Sequence, residues 1–345
     1  MSVTLGFLDN CTHYAWNDVL QKYNSGSLTG QEGGLGGIGS AIKGPNQLRK
    51  TITQGDTIVV GAHVKVSSVG PHDLIRVEHN GGDVARIAIN ASMQLRVLID
   101  GLEVDIVLNP AKALAVNTYY NLEFALNMHA STGSWELRRT GEVLSTATFQ
   151  DTTAISGGVL LNSFGFHSAD ETIDSTYCKS GSGGFVSGDF QGATSKMTLY
   201  PIADGAYTAG TGWAKSGTAT GASWTFVNDT VANGDSDYLF TRQFTGTPLD
   251  LEGWLLGTLP PDVGTIHAIQ PVMQARNQTS GSTVTLDMVR KRALSETKDV
   301  LLASYATLSQ YAFALAPSVT KPEGGAWSGT QLVDDTWGVE VKALA

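Results

Sequence analysis

The clearest alternation of apolar and polar positions runs through residues 118–144. Tyr120, Leu122, Phe124, Leu126 and Met128 fall on one side of an extended strand. Asn121, Glu123 and Asn127 fall on the other, with Ala125 the one break in the polar series. A period of two predicts a half-buried antiparallel strand. Ala130-Ser-Thr-Gly133 then turns the chain, Trp135 and Leu137 carry the next apolar face, and Thr140-Gly141 turns it again. The same rhythm predicts strands over Ile58 to Val66, Leu74 to His79, Val84 to Asn90, Leu95 to Ile99 and Leu102 to Leu108. His79-Asn-Gly-Gly-Asp83 and Asp100-Gly101 read as hairpin turns, because Asn, Asp and Gly tolerate positive φ.

The flanking regions are less regular. His13 to Tyr23 admits a short helix or an irregular strand, and Gly33 to Gly39 supplies loose backbone. A Gly/Ser-rich passage at 180–188 leads to a predicted strand at Ser195–Tyr200 that ends in Pro201. Ile202 to Gly212 is rich in chain breakers and marks a domain boundary. Further strands are predicted near Trp224–Val227, Tyr238–Phe244, Thr265–Arg276 and Thr283–Lys291. Over 285–313, Leu286, Val289, Leu294, Val300, Leu301 and Leu308 admit a helix, but the alternation after Thr283 and the β context favour strands. No repeat of fixed period appears, which disfavours solenoids and propellers. The expected fold is all-β, with two tandem β-sandwich, jelly-roll-like domains at 1–201 and 202–345.

Composition agrees with that class. Among 345 residues, 40 are glycine and only 16% are charged, as suits many strands and turns, and 41% hydrophobic content provides for packed cores. The net charge is −10 and the longest basic run is Arg290-Lys-Arg292, so no nucleic-acid or membrane partner is expected. No signal peptide and no run of about 18 apolar residues is recognisable. The two cysteines, Cys11 and Cys178, leave their own pairing open, and a fold with so few must stand on its apolar cores.

Candidate chemistry is thin. Paired carboxylates, the usual mark of a sandwich-fold polysaccharide hydrolase, are offered by Asp170/Glu171/Asp174, Asp235/Asp237 and Asp334/Asp335. Asp235 and Asp237 have same-face spacing but follow a turn, where capping explains them. Calcium is the one cofactor left open, with Asp170 and Asp174 as oxygen ligands, although the spacing of a dedicated calcium loop is absent. The histidines form no zinc pattern. No Gly-x-Ser-x-Gly elbow lies between a strand and a helix, which leaves Ser-His-Asp arrangements open but unsignalled. Gly33 to Gly39 lacks the lysine of a phosphate loop. Of the tryptophans, Trp135 and Trp224 read as core, while Trp213 and Trp327 sit in Gly/Ser-rich turns and are the candidates for carbohydrate binding, with packing against a loop the favoured role for each.

Several stretches resemble one family. Tyr119-Tyr-Asn-Leu-Glu-Phe124, His129-Ala-Ser-Thr-Gly-Ser-Trp-Glu-Leu-Arg138 and Thr140-Gly-Glu-Val143 are similar to the core of the concanavalin A-like (laminin-G-like) jelly-roll domains of bacteriophage virion proteins. Thr140 stands where that pattern has Asn, and Ser175-Thr-Tyr-Cys178 stands where an acidic pair is expected. Gly188 to Pro201 resembles the strand and linker that close the domain, and stretches at 233–238, 266–276 and 317–327 resemble an accompanying second β-domain. The resemblance covers about residues 55–345. It implies a non-enzymatic virion structural protein, either capsid decoration or tail component, assembled in the host bacterial cytoplasm. It also implies other virion proteins and further copies of itself as partners. The alternatives are a tail adsorption protein that recognises host surface glycans and a sandwich-fold polysaccharide hydrolase.

Overall fold

The computed structural model describes residues 3–9, 23–27, 29–33, 40–99, 102–150, 152, 160–192, 199, 201–205, 213–215, 222–227, 239–241, 251–259, 265, 266, 268, 269, 272–275, 284–291, 299–307, 312–315, 321 and 325–344. Strands make up most of the described residues, beside 3-10 turns and one short α-helix at Gly329–Asp334, and the chain is all-β. Two compact units divide it, Met1–Met197 and Thr198–Ala345.

The first unit begins with β1 (Thr4–Asp9), β2 (Ser25–Ser27), β3 (Gly30–Gly33), β4 (Ser40–Lys43) and β5 (Asn46–Gly55). The regular part follows with β6 (Thr57–Val66), β7 (His72–His79), β8 (Gly82–Ile89), β9 (Leu95–Ile99) and β10 (Leu102–Ile106). It closes with β11 (Tyr120–Asn127), β12 (Gly133–Arg139), β13 (Glu142–Gln150), β14 (Leu161–Phe166) and β15 (Glu171–Gly181). These strands build two antiparallel sheets. An eight-stranded sheet has the order β13-β12-β11-β6-β15-β4-β3, with β1 also paired to β15, and a seven-stranded sheet has the order β10-β9-β8-β7-β14-β5-β2.

The apolar positions picked out by alternation meet between the sheets. Ile58, Val60, Ala62 and Val64 of β6, Leu122, Phe124 and Leu126 of β11, and Val77, Phe164 and Phe166 from the opposite sheet are fully buried in one core. Trp135 and Leu137 join it, as their alternation predicts. The ring of Phe7 meets those of Tyr23 and Phe164 edge-on, with centroids 5.3 and 5.5 Å away. Tight turns fall where Asn-Gly and Thr-Gly place them. Asn80 and Gly81 have φ of 48° and 85°, and Thr140 and Gly141 of 51° and 81°. Asp100-Gly101, most of His13 to Tyr23 and Gly34 to Gly39 lie outside the described residues.

One expectation for β11 is corrected. Its polar side is not solvated, because all residues from Asn121 to Leu126 are buried. A second layer covers the outer face of the eight-stranded sheet there. Val3, Phe190 and the partly buried Leu5, Leu8 and Phe185 pack on Val59, Ala125 and Tyr177.

The second unit contains β16 (Pro201–Asp204), β17 (Trp213–Lys215), β18 (Leu239–Thr241), β19 (Leu251–Leu256), β20 (Val272–Ala275), β21 (Val284–Lys291), β22 (Asp299–Thr307), β23 (Ala312–Leu315) and β24 (Thr336–Leu344). A five-stranded sheet runs β16-β19-β24-β21-β22, beside two-stranded pairs β17-β18 and β20-β23. The ambiguous stretch 285–313 is therefore stranded where it is described. Pro201 opens β16, and the expected strand Ser195–Tyr200, apart from Leu199, lies outside the described residues. Trp224 lies not in a strand but in a 3-10 turn, Ser223–Phe226, whose Ser223 backbone N and Oγ donate to Asp204 at 3.1 and 2.6 Å. No helix among the described residues is long and apolar enough to cross a membrane.

Candidate functional site

Register on the eight-stranded sheet collects polar side chains on the face turned away from the core. Asn121 of β11 pairs with His63 of β6, and His63 pairs with Asp174 of β15. The Val60, Val64, Leu122 and Ile173 side chains enter the core, so alternation sends Asn121, His63 and Asp174 to the opposite side. Adjacent strands lie about 4.8 Å apart, which makes the three residues contiguous across the sheet. They are 4%, 6% and 5% exposed, and Asn121 Oδ1 has no hydrogen-bond partner. A bulge in β15 between Asp174 and Tyr177, with Ser175 at φ 54°, aims both of those residues from one face, and Ser175 Oγ donates to Asp174 Oδ1 at 3.1 Å.

More accessible residues border this row. Lys65, one position along β6 on the same face, forms an ion pair with Glu32 and lies 4.9 Å from the Tyr119 ring centroid. Burial works to raise the Glu32 carboxyl, but hydrogen bonds from Lys65 and Thr172 and the charges of Lys65 and Lys43 hold it below its ordinary value.

On the other side the row is bounded by a buried knot. Gly61 has no side chain, and a Cβ there would stand 2.1 Å from the Tyr177 ring. Tyr177 therefore crosses β6, and its hydroxyl donates to Glu123 Oε1. The same oxygen accepts from the backbone N–H of Gln191 at 2.8 Å and of Gly192 at 2.9 Å. Burial pushes the Tyr177 phenol well above its ordinary range, and the neighbouring Glu123 adds to that. Arg138 stacks 3.7 Å over Phe190, while Lys179 lies 3.9 Å from Asp189. Burial holds the Lys179 amine below its usual range, although Asp189 and Glu123 pull the other way. This knot ties residues 185–192 down beside the row.

The outer face of the seven-stranded sheet is polar in a different way. Glu78 is buried and bound by Arg49, by His167 at 3.4 Å and by Ser163 Oγ at 3.2 Å. Arg76 and Arg86 share Asp73 at 2.7 and 3.1 Å and both approach Asp83. Glu103 closes the series on Arg96.

The residues expected to act are dispersed. Trp327 is buried at 4%, contrary to its candidacy for carbohydrate binding, because its ring packs 6.0 Å from Trp337 and beneath the fully buried Arg290. Arg290 in turn meets Asp335 at 3.4 Å, which gives Asp335 a structural partner while Asp334 is exposed. Trp213 opens β17, but its ring, like Asp235 and Asp237, lies outside the described residues. Asp170 is half-exposed in the turn before β15, whereas Asp174 is buried on the sheet face. Glu171 points into the core. Burial, and secondarily the charge of Asp73, raise its carboxyl well above the ordinary range against a backbone hydrogen bond from Ser168. Cys178 is a free buried thiol, and Cys11 lies outside the described residues. Among the described residues no three His, Cys, Asp or Glu side chains converge as metal ligands. His63 was passed over in sequence, yet a histidine inside the apolar run Thr57–Val66 was the available signal.

No protein-family model matches the sequence, and no curated protein matches it. Solved structures do. A Trypanosoma rangeli sialidase in complex with sialic acid matches at 12% identity and a TM-score of 0.33, over 48% of this chain and 28% of that one. An alginate lyase in complex with an alginate trisaccharide matches at 9% identity and a TM-score of 0.38, over 52% of this chain and 98% of that one. The chain spans little more than a quarter of the Trypanosoma rangeli sialidases it matches. The expectation that the chain is not an enzyme is corrected, since the structures it matches are those of enzymes.

Proposed function

We propose that the first unit recognises carbohydrate through the outer face of its eight-stranded sheet, and that the chain serves a phage particle as an adsorption component contacting host surface glycans. The row Asn121–His63–Asp174 carries the first part. Asn121, His63 and Asp174, buried side by side at strand spacing, form a polar floor beneath that face, and Asn121 Oδ1 has hydrogen-bonding capacity left over. Lys43, Lys65, Glu32 and the partly exposed Tyr119 form an accessible rim. The phage setting rests on the sequence resemblance of residues 55–345. In that setting, repeated copies beside other virion proteins would multiply weak contacts into avidity.

Glycan-array binding of the full chain tests the reading, repeated with Asn121→Ala and Lys65→Ala. Binding to at least one glycan class is expected, weakened about tenfold by Asn121→Ala, the worth of one good hydrogen bond. Absence of binding to every glycan, or binding indifferent to both substitutions, would overturn it. Copy number per purified virion tests the setting: a few dozen or fewer supports a tail role, and hundreds contradicts it.

A further inference from the structure

The loop joining β6 to β7 and the turn before β15 bring a serine, a histidine and an aspartate together at one end of the sandwich. Ser68 Oγ lies 3.3 Å from His72 Nε2. On the far side of the ring, Nδ1 lies 3.3 Å from Ser168 Oγ and 3.9 Å from Asp170 Oδ2. The turn is braced for this. The backbone carbonyl of Asp170 accepts from Ser67 N at 2.8 Å and Ser67 Oγ at 2.9 Å, and Asp170 N donates to Ser168 Oγ at 3.3 Å. Nothing in sequence announces the set, because its members come from loops about 100 residues apart and no elbow motif surrounds the serine.

We propose that Ser68, His72 and Asp170 form a second, hydrolytic site, which takes carboxylic esters of small acyl groups. A carboxylate beside Nδ1 favours the tautomer with its proton there, directed at Ser168 Oγ and Asp170. Nε2 is then the acceptor that faces Ser68, although Ser68's own carbonyl oxygen also lies 3.3 Å from it. A nucleophile within reach of a base that a third group orients is the arrangement acyl transfer requires. The His72 side chain is 12% exposed, and the loop beside it is the accessible side of the site. Gly70 leaves clear the space 3.7 Å from Nε2, and exposed Val69 and Pro71 flank it as shallow apolar contacts for a small acyl group.

The chemistry balances without a further co-reactant. Ser68 Oγ adds to the ester carbonyl carbon as its proton passes to Nε2. The tetrahedral intermediate expels the alcohol, which takes that proton. Water then attacks the acyl-serine, gives a proton to Nε2, and releases the carboxylic acid while Ser68 regains its hydrogen. Ser68 and His72 are the catalytic residues of this step, and Asp170 and Ser168 are positioning residues.

The site shares no residue with the carbohydrate face, so either can fail alone. The test treats the full chain with a fluorophosphonate and follows p-nitrophenyl acetate hydrolysis, with melting temperature and glycan binding measured alongside. Label is expected on Ser68, absent in Ser68→Ala. The hydrolysis rate should fall by roughly 10² or more in His72→Gln. Asp170→Asn should lower kcat while KM and melting temperature hold. Ser131→Ala is the control, because His129 Nδ1 beside Ser131 already accepts from the Ser131 and Thr132 backbone N–H groups, each at 3.1 Å. Failure to label Ser68, or labelling and hydrolysis unchanged in His72→Gln, would overturn the proposal.

Discussion

The two outer faces of the first unit are both rich in polar side chains, yet they are organised on opposite principles. On the seven-stranded sheet, charges meet charges. Arg49 and His167 hold Glu78, and Arg76 and Arg86 hold Asp73 and Asp83. On the eight-stranded sheet, a buried knot around Glu123 ties down residues 185–192, and beside it lies a row whose Asn121 oxygen is unmatched. The difference separates a face whose carboxylates Glu78, Asp73, Asp83 and Glu103 all meet cations from one where a buried amide oxygen has bonding capacity left for a ligand. Polarity alone does not mark a site; unspent hydrogen bonds beside a rigid support do.

The sharpest way to break the comparison is to cut the knot. Glu123→Ala strands the Tyr177 hydroxyl proton and the Gly192 N–H in a buried place, leaves Gln191 N only the Tyr177 oxygen at 3.1 Å, and should cost about 3–5 kcal/mol, read by denaturant unfolding. Increased proteolysis near 185–192 should accompany it. Gly61→Ala forces a Cβ into the Tyr177 ring and should cost about 1–3 kcal/mol through overpacking. If either variant unfolds like the wild type, the knot is not what supports the face.

Two buried glutamates divide the pH dependence. Burial works to raise Glu78, but the hydrogen bonds and charges of His167 and Arg49 outweigh it and hold the carboxyl below its ordinary value. A lowered folded-state pKa gives stability that is present above the ordinary carboxylate value and lost as pH falls through the depressed one. Glu171, raised mainly by burial, does the reverse. Its contribution is full below the ordinary value and lost as pH rises through the raised one. Melting curves across pH should therefore lose their acid limb in Glu78→Gln and flatten on the rising-pH side in Glu171→Gln. The smallest effect belongs to the partly exposed charge network, where Arg76→Ala should cost only about 0–1 kcal/mol, less at high salt.

Much of the frame was legible in sequence, since alternation located β6 to β9 and β11 and β12, with turns at Asn80-Gly81 and Thr140-Gly141. The site was not, for a physical reason. Local periodicity assigns Glu123 and Asn121 to a polar face, which it equates with solvent. The cover comes from far along the chain: Tyr177 lies 54 residues from Glu123, and Gln191 lies 68 residues away. The tryptophans misled in the same way. The Gly/Ser-rich surroundings of Trp327 suggested exposure, but its environment is set by Arg290 on another strand. Asp174 was singled out among the acidic residues for calcium or catalysis, and only the register opposite His63 reveals its neighbours.

The most direct test of the carbohydrate face is quantitative binding of one array-selected glycan to the wild type, Asn121→Ala and Arg76→Ala in parallel. The account predicts about tenfold weaker binding for Asn121→Ala and unchanged binding for Arg76→Ala. Equal affinity for all three, or loss confined to Arg76→Ala, would contradict it.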